Sequence, residues 1–217
     1  MTTLTLYETI QRIVQEELSR QQTAELAVVQ ENHPHADGGD TDNYACTVVL
    51  RNTGLVLRQV PVATPRIGQV SIPSVGDLVL VQFVGGDLNA PVITGSLYSD
   101  SARPPVSQPQ QAIWHLPPDA AEDDALRVAF SGEDPKAITL SLGSALTITL
   151  LDDDPVVSID VDGGKAAIAI DRDGAVTITS QGDVALEGNN VSVKAQANLN
   201  LEAQGETVIK GATVNIN

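Results

Sequence analysis

The sequence contains very few aromatic residues, a single cysteine and few basic residues. Of 217 residues, one is Trp, three are Tyr and two are Phe, so a large core would have to be built from Val, Ile, Leu and Ala. The lone Cys46 excludes an intrachain disulfide framework and argues against a metal–thiolate cluster. Twelve Lys and Arg against 28 Asp and Glu leave a net charge of −16, which disfavours binding of nucleic acid through its phosphates.

Long apolar runs are also missing, and none approaches the length of a membrane span. The first residues, MTTLTLYETIQRIVQEELSR, lack the basic start and apolar stretch of a secretory signal. We therefore expect the protein to fold in the cytoplasm, and any role outside the cell to depend on another export route. The length suits one ordinary domain with an additional segment.

Residues 1–23 are predicted to form a short amphipathic helix. Thr5 and Glu8 match a capping box, in which their side chains satisfy free backbone donors. The apolar positions at helical spacing are Leu6, Ile10, Ile13, Val14 and Leu18. The sequence leaves two roles open: the helix packs against its own domain, or it contacts a partner or another copy of the chain. Two heptads are too few to indicate a coiled coil.

Five short strands are predicted within residues 24–100, and they indicate a small β-barrel. Turns rich in Gly, Pro, Asn and Asp separate them. The predicted strands are residues 24–30, 44–50, 55–62, 75–84 and 91–97. Residues 101–125 include a Pro- and Gln-rich stretch and are predicted to be a linker.

Residues 126–217 contain a succession of short apolar–polar–apolar triplets. From Ile168 onward the triplets begin 8, 8, 7, 8, 8 and 7 residues apart, with turn residues between them. Such a repeat has room for one strand of about four to five residues and one corner, so one chain cannot enclose a core. Three chains wound together can enclose a core, and their backbone hydrogen bonds then run between neighbouring chains. The predicted trimer core is Ile168, Ile170, Val176, Ile178, Val184, Leu186, Val191, Val193, Leu199, Leu201, Ile209, Val214 and Ile216.

Two other architectures compete with this triple-stranded β-helix. A single-chain parallel β-helix needs longer rungs, and a β-sandwich normally shows longer strands at less uniform spacing. In the trimer, outward acidic positions such as Asp160, Asp183 and Glu202 would be solvated. Their charge would keep a long β-rich object from associating edge to edge.

Residues 72–81 (IPSVGDLVLV), followed by Gly85-Gly86-Asp87 and residues 91–100 (PVITGSLYSD), resemble the barrel of the phage baseplate assembly protein V family. This family comprises the central spikes of contractile tails, and similar barrels occur in spikes of type VI secretion and of extracellular contractile injection particles. The acidic repeat resembles the triple-stranded β-helix that follows the barrel in these spikes. The resemblance implies an all-β protein in which an OB-fold-type barrel precedes a trimeric β-helix, with a short N-terminal helix.

The same resemblance implies a function. It predicts a homotrimeric, non-enzymatic needle without a cofactor, which sits at the baseplate hub and pierces the target cell envelope when the sheath contracts. Such a spike is assembled in the cytoplasm into a tail or injection particle and acts outside the cell. Some phage spikes end in a His-x-His pair that holds iron, whereas residues 211–217 contain no His. We therefore expect a blunt end, with Val214 and Ile216 covered by a separate PAAR-type tip protein.

Residue types that could bind metal occur in a few places. His33, His35, Asp37 and Asp40 suit zinc or iron, but their Gly-rich setting favours a solvated loop. The acidic stretches 152–154, 160–164 and 171–174 lack the ligand spacing of calcium loops, which favours solvated turns. His115 has no partner in the sequence, and no catalytic triad or phosphate-binding loop is found. No catalytic, cofactor-binding or metal-binding residue is predicted, and an ion on the axis is left open.

Two other functions remain as alternatives. The barrel could be an OB-fold binding module for oligosaccharide or single-stranded nucleic acid on a β-stalk, although the net charge and the scarcity of stacking aromatics argue against it. The repeat could also be the passive stalk of an adhesin or tail fibre, but no receptor-binding head is recognisable after it.

Overall fold

The computed structural model of the protein describes residues 6–20 and 23–215. The predicted N-terminal helix is present as α1, Leu6–Arg20, and every side chain from Leu6 to Gln15 is exposed. The predicted capping residue Thr5 lies outside the described residues, as does the side chain of Leu18. No helix in the described part of the chain has the length and apolarity needed to cross a bilayer.

The five strands predicted for the first domain are all present. They are β1 (Ala24–His33), β2 (Ala45–Leu50), β3 (Val56–Pro61), β4 (Leu78–Phe83) and β5 (Pro91–Leu97), in the spatial order β3-β2-β1-β4-β5. The long β1 pairs antiparallel with β2 along one part and with β4 along the other. A parallel bridge between Val62 and Ile93 brings the two outer strands together, so the sheet curls into a barrel.

Alternating apolar residues build the barrel core. Side chains of every second residue of a strand point to the same face, so one set from each strand meets inside. This set is Ala27, Val29, Cys46, Val48, Leu50, Val60, Val79, Val81, Phe83 and Ile93. Only one aromatic residue contributes, as the composition predicted, and Cys46 is fully buried.

A second, seven-stranded antiparallel sheet follows the barrel. Its strands are β6 (Gln111–Leu116), β7 (Leu126–Ser131), β8 (Ala137–Leu142), β9 (Leu146–Leu151), β10 (Val157–Val161), β11 (Ala166–Ile170) and β12 (Val176–Ser180). Each strand pairs with the next one in sequence, so the sheet is a simple meander. Its first strand, β6, lies within residues 101–125, where the sequence predicted a linker.

The meander corrects one expectation. The triplets between residues 126 and 180 were expected to pair with neighbouring chains, and this was wrong, because they form β7 to β12 within one chain. From β7 onward, successive strands begin 9 to 11 residues apart. That distance accommodates a strand of five or six residues and a hairpin turn, so the chain folds back on itself.

The pairing ends at β12. The Gln181 amide donates to the Lys165 carbonyl at 2.8 Å, and between residues 182 and 215 the chain forms neither a strand nor a backbone–backbone hydrogen bond with itself. Here the triplets begin only seven or eight residues apart. The segment 182–215 therefore differs from the sheet in pairing, while its spacing continues the eight-residue interval between the triplets that begin at Ile168 in β11 and Val176 in β12.

Candidate functional site

The seven-stranded sheet has one apolar face, which we define by three rows of side chains running across the strands. The register places Trp114, Val128, Leu140, Ile148, Ile159, Ile168 and Ile178 in the central row. The first flanking row is Ala112, Phe130, Ile138, Leu150, Val157, Ile170 and Val176. The second is Leu116, Leu126, Leu142, Leu146, Val161, Ala166 and Ser180. All of these residues except Ser180 are apolar.

The opposite face is made mostly of small and hydroxyl side chains. Its two rows are Ile113, Ala129, Thr139, Thr149, Ser158, Ala169 and Thr177, and His115, Arg127, Ser141, Thr147, Asp160, Ala167 and Thr179. This division is typical of an antiparallel sheet with one side on a core and the other in water. The polar face is thus suited to solvent, and the apolar face to another body.

Nothing within residues 6–20 and 23–215 covers the apolar face. The side chain of Trp114 is 63 % exposed, and Ile138 and Ile178 are also exposed. Seven strands about 4.8 Å apart, with about five residues of 3.4 Å each, give a face on the order of 500 Å². Soluble monomers rarely leave a contiguous apolar patch of more than a few hundred Å² in water. The apolar face is therefore the candidate functional surface of this protein.

The largest side chains of the apolar face lie at its β6–β7 end. The rings of Trp114 and Phe130 meet edge to face, with centroids 5.7 Å apart and planes at 90°. At the β12 end the three rows finish in Val176, Ile178 and Ser180. Any body that covers this face must accommodate aromatic rings at one end and smaller side chains at the other.

The predicted trimer-core residues fall in two places. Ile168, Ile170, Val176 and Ile178 lie together on the apolar face, in β11 and β12. The segment 182–215 carries the others that the structure describes, and their exposures range from 48 to 79 %: Val184, Leu186, Val191, Val193, Leu199, Leu201, Ile209 and Val214. Ile216 lies outside the described residues. Burial of this set by further chains stays a prediction.

Sequence reasoning missed the part of the apolar face that comes before Ile168. Residues 111–116 were assigned to a linker, although Ala112, Trp114 and Leu116 alternate with Ile113 and His115. That period-two alternation was the available signal, but it was short and followed a Pro-rich stretch. The triplets from 138 to 161 were recognised, but they were not assigned to a common face because their pairing is not visible in sequence.

The acidic turns lie at the edges of the second sheet. The Asp152 carboxylate is 3.3 Å from an Arg172 guanidinium nitrogen and 3.8 Å from Lys136 Nζ, and the Arg172 amide donates to Asp154 at 2.6 Å. Lys165 pairs with Asp162 at another turn. These pairs are exposed, so each contributes little to stability. Within residues 6–20 and 23–215, no group of three or more His, Cys, Asp or Glu side chains is arranged to hold a metal.

The histidine-containing loop of the barrel is held together by its own hydrogen bonds. His33 Nε2 lies 3.0 Å from the Thr47 hydroxyl, and its Nδ1 lies 3.9 Å from the Asp42 carboxylate. The Asp40 carboxylate accepts the amide hydrogens of Ala36 at 2.9 Å and Asp42 at 2.8 Å, which lower the pKa of Asp40 below its ordinary value. Both oxygens of the Asp40 carboxylate therefore accept hydrogen bonds from backbone amides of the same loop.

Two further candidates also have local partners. The Asp37 carboxylate accepts the Gly39 amide hydrogen at 2.8 Å, and His35 Nδ1 is 3.3 Å from the Asp42 carbonyl oxygen. His115, which had no recognisable partner in the sequence, has Nε2 2.9 Å from the Ala120 carbonyl oxygen. These contacts shape loops and do not bring the side chains together around a common ligand.

The fold and its main surface define a class of protein: a small β-barrel that carries a β-sheet built to be covered on one side. Residues 46–98, which contain all but the first residue of β2 and the whole of β3 to β5, match the family model of the type VI secretion system/phage-baseplate injector OB domain. This match confirms the resemblance of the barrel to the phage baseplate V family that was drawn from residues 72–100. No curated protein matches the sequence.

The similarity of this domain indicates a structural role related to a phage baseplate or a type VI secretion spike, as a component of a tail particle. Members of this family are typically structural and non-enzymatic. The match covers the barrel only, so the sheet and the segment 182–215 have to be interpreted from their own chemistry.

Proposed function

We propose that the protein is the homotrimeric central spike of a contractile tail or injection particle, which pierces the target cell envelope when the sheath contracts. The family of the barrel supports a position in the baseplate, and the uncovered apolar face supports the trimer. The sheath supplies the work in this proposal. The spike forms and breaks no covalent bond, and its contribution is rigidity.

The apolar face is the observation that carries the trimer. Three copies of the sheet can form a three-sided prism, with the apolar faces turned inward and the polar faces in water. Burial of about 500 Å² per chain at about 25 cal/mol per Å² would contribute roughly 12 kcal/mol per copy, before the entropy of association is subtracted. Two sheets could also stack face to face, but the family of the barrel favours threefold symmetry.

The segment 182–215 supports the same conclusion by a different route. Its apolar side chains recur every seven or eight residues and are exposed in the single chain, and among the described residues its backbone makes no hydrogen bond to another backbone group. Winding three copies together would supply both the hydrogen bonds and the core. The second half of the spike would then be a prism of in-chain sheets continued by a triple-stranded β-helix.

Each of the two ends of the spike would bind a different partner. The barrel end would bind a baseplate hub protein. Towards the other end of the described residues, Val214 is exposed. A separate PAAR-type tip protein would cover this end, and copurification of such a protein with the assembled particle is the expected result.

The trimer is tested by matched substitutions on neighbouring residues of β12. Ile178→Asp would bury three like charges on the axis, at a cost of several kcal/mol each, whereas Thr179→Asp lies on the polar face. Light scattering after size exclusion should give three times 22.8 kDa for the wild type and for Thr179→Asp, and a lower mass for Ile178→Asp. A monomeric wild type, or equal tolerance of the two changes, would refute the proposal.

The runner-up function is a binding module for oligosaccharide or single-stranded nucleic acid on the barrel. Such a module does not require a trimer and should bind single strands at low salt. Solution mass and binding of single strands, measured on the same purified protein, distinguish the two functions. A trimer that does not bind single strands supports the spike.

A further inference from the structure

Helix α1 carries an apolar stripe that stays exposed in the part of the chain that the structure describes. The stripe consists of Leu6, Tyr7, Ile10, Ile13 and Val14, whose exposures range from 50 to 79 %. These residues recur at intervals of three and four along the helix, which places them on one side. A 15-residue helix standing alone in water is only marginally stable, so a covered stripe is needed to stabilise α1.

We infer that the α1 helices of three copies cover one another and form a parallel three-helix bundle on the N-terminal side of the barrels. This inference rests on the proposed trimer. Only residues 21–23 separate α1 from β1, so the C-terminal end of α1 lies within about 15 Å of the start of the barrel. Threefold symmetry places the other two α1 helices at the same height.

The charge of α1 is compatible with contact between copies. Helix α1 has three acidic and two basic residues and thus a net charge of −1, although the whole chain has a net charge of −16. Three copies of this segment can therefore approach without the repulsion expected of more acidic regions. The same composition disfavours a membrane surface as the partner, because helices that lie on anionic lipid carry a polar face rich in Lys and Arg.

The small size of the stripe also favours a second copy over an independent partner. Five side chains offer less than the roughly 800 Å² per partner that a stable complex between separate proteins buries. Within a trimer the helices are tethered to barrels already held together, so their effective concentration is in the millimolar range. A weak interface is sufficient under those conditions.

Disulfide cross-linking of the full-length protein tests the bundle. Ile13→Cys places a thiol on the stripe, and Gln11→Cys places one about 200° away around the same helix as the matched control. The native Cys46 is fully buried in the barrel, so the introduced thiol is the one that reacts under mild oxidation. Dilute Ile13→Cys should give disulfide-linked pairs with one chain in three left over, at least ten times faster than Gln11→Cys.

Light scattering of the same samples separates this inference from the proposed trimer. If the variants are trimers but cross-link at equal rates, the three-helix bundle is wrong while the spike stands, and a separate protein at the hub covers the stripe. If the variants are monomers, both proposals are wrong. Preferential cross-linking of Ile13→Cys that persists on dilution supports the bundle.

Discussion

Gly143 shows how closely two turns meet at the edge of the second sheet. Its amide donates to the Ala125 carbonyl at 2.8 Å, and the Ser144 amide donates to the Asp123 carbonyl at 3.0 Å. Gly143 has φ +55°, and a Cβ at this position would lie 2.4 Å from the Asp123 backbone oxygen. The loop before β7 can therefore lie against the turn between β8 and β9 only because residue 143 lacks a side chain.

We expect Gly143→Ala to destabilise the second sheet by more than the strain of a left-handed residue. Gly163→Ala is the matched control, because Gly163 has φ +67° and open space around its Cβ position. Gly163→Ala should lower the free energy of unfolding by about 1 kcal/mol. Gly143→Ala should lower it by about 2 kcal/mol more, because the backbone next to the new Cβ must move. Urea denaturation followed by circular dichroism measures both, and equal losses would contradict the close contact.

Asp40 makes one contribution to the pH dependence of stability. Backbone hydrogen bonds from Ala36 and Asp42 hold the pKa of Asp40 below its ordinary value of 3.8. Because the pKa is lowered in the folded state, the stabilisation is present above about pH 4 and is lost as the pH falls further. Asp40→Asn should lower the thermal midpoint at pH 7, and its difference from wild type should shrink towards pH 2.5. A difference that is constant with pH would contradict this, and Asp100→Asn in an exposed turn is the control.

At the scale of elements, the spacing of apolar triplets shortens along the sheet but does not mark its end. The triplets that begin at residues 138, 148, 159 and 168 lie 9 to 11 residues apart and pair within the chain. The triplets that begin at Ile168 and Val176 are only eight residues apart and still pair as β11 and β12, whereas the triplets seven or eight residues apart after residue 182 do not pair. The point at which the sheet ends is therefore decided by the structure and is not visible in the spacing.

Trp114 is the only tryptophan of the chain and reports directly on the apolar face. In the single chain its ring is largely exposed beside Phe130. If three sheets enclose the face, the fluorescence of the wild type should be blue-shifted and poorly quenched by acrylamide.

The monomeric Ile178→Asp variant should show red-shifted, readily quenched emission, because Trp114 lies at the opposite end of the same central row. Identical spectra for a wild-type trimer and a monomeric variant would mean that another surface holds the trimer together.

For the whole molecule, the charge is unevenly distributed. Residues 46–98 contain Arg51, Arg58 and Arg66 against Asp77 and Asp87, so this stretch is nearly neutral while the whole chain has a net charge of −16. The acidic residues are concentrated before and after it, including the turns at the edges of the second sheet. Three copies in one spike would bring these acidic regions close together.

We therefore expect salt to stabilise the assembled protein. Raising NaCl from 10 to about 300 mM shortens the Debye length from about 30 Å to less than 10 Å and screens repulsion between acidic turns. The thermal midpoint should rise over this range. A fall would show that favourable ion pairs, such as those of Asp152, outweigh the repulsion.

The barrel could be predicted from the sequence because its signals are local. Strand alternation, turn residues and the motif between Ile72 and Asp100 are each contained in short stretches, and the structure and the family match agree with them. The helix of residues 6–20 was also predicted from local spacing. The second sheet was not, because the pairing of β6 with β7 joins Gln111 to Ser131 across a loop that resembles a linker.

The sequence by itself determined which residues are apolar, how far apart they recur and where turns can form, and these properties indicated a spike-like repeat after a barrel. Only the tertiary structure decided that residues 111–180 pair within one chain and that three rows of apolar side chains share one uncovered face. The physical reason is that strands pair through backbone hydrogen bonds, which do not depend on the side chains of the paired residues. The register that aligns Trp114 with Ile178 across seven strands therefore appears only when the strands are placed side by side.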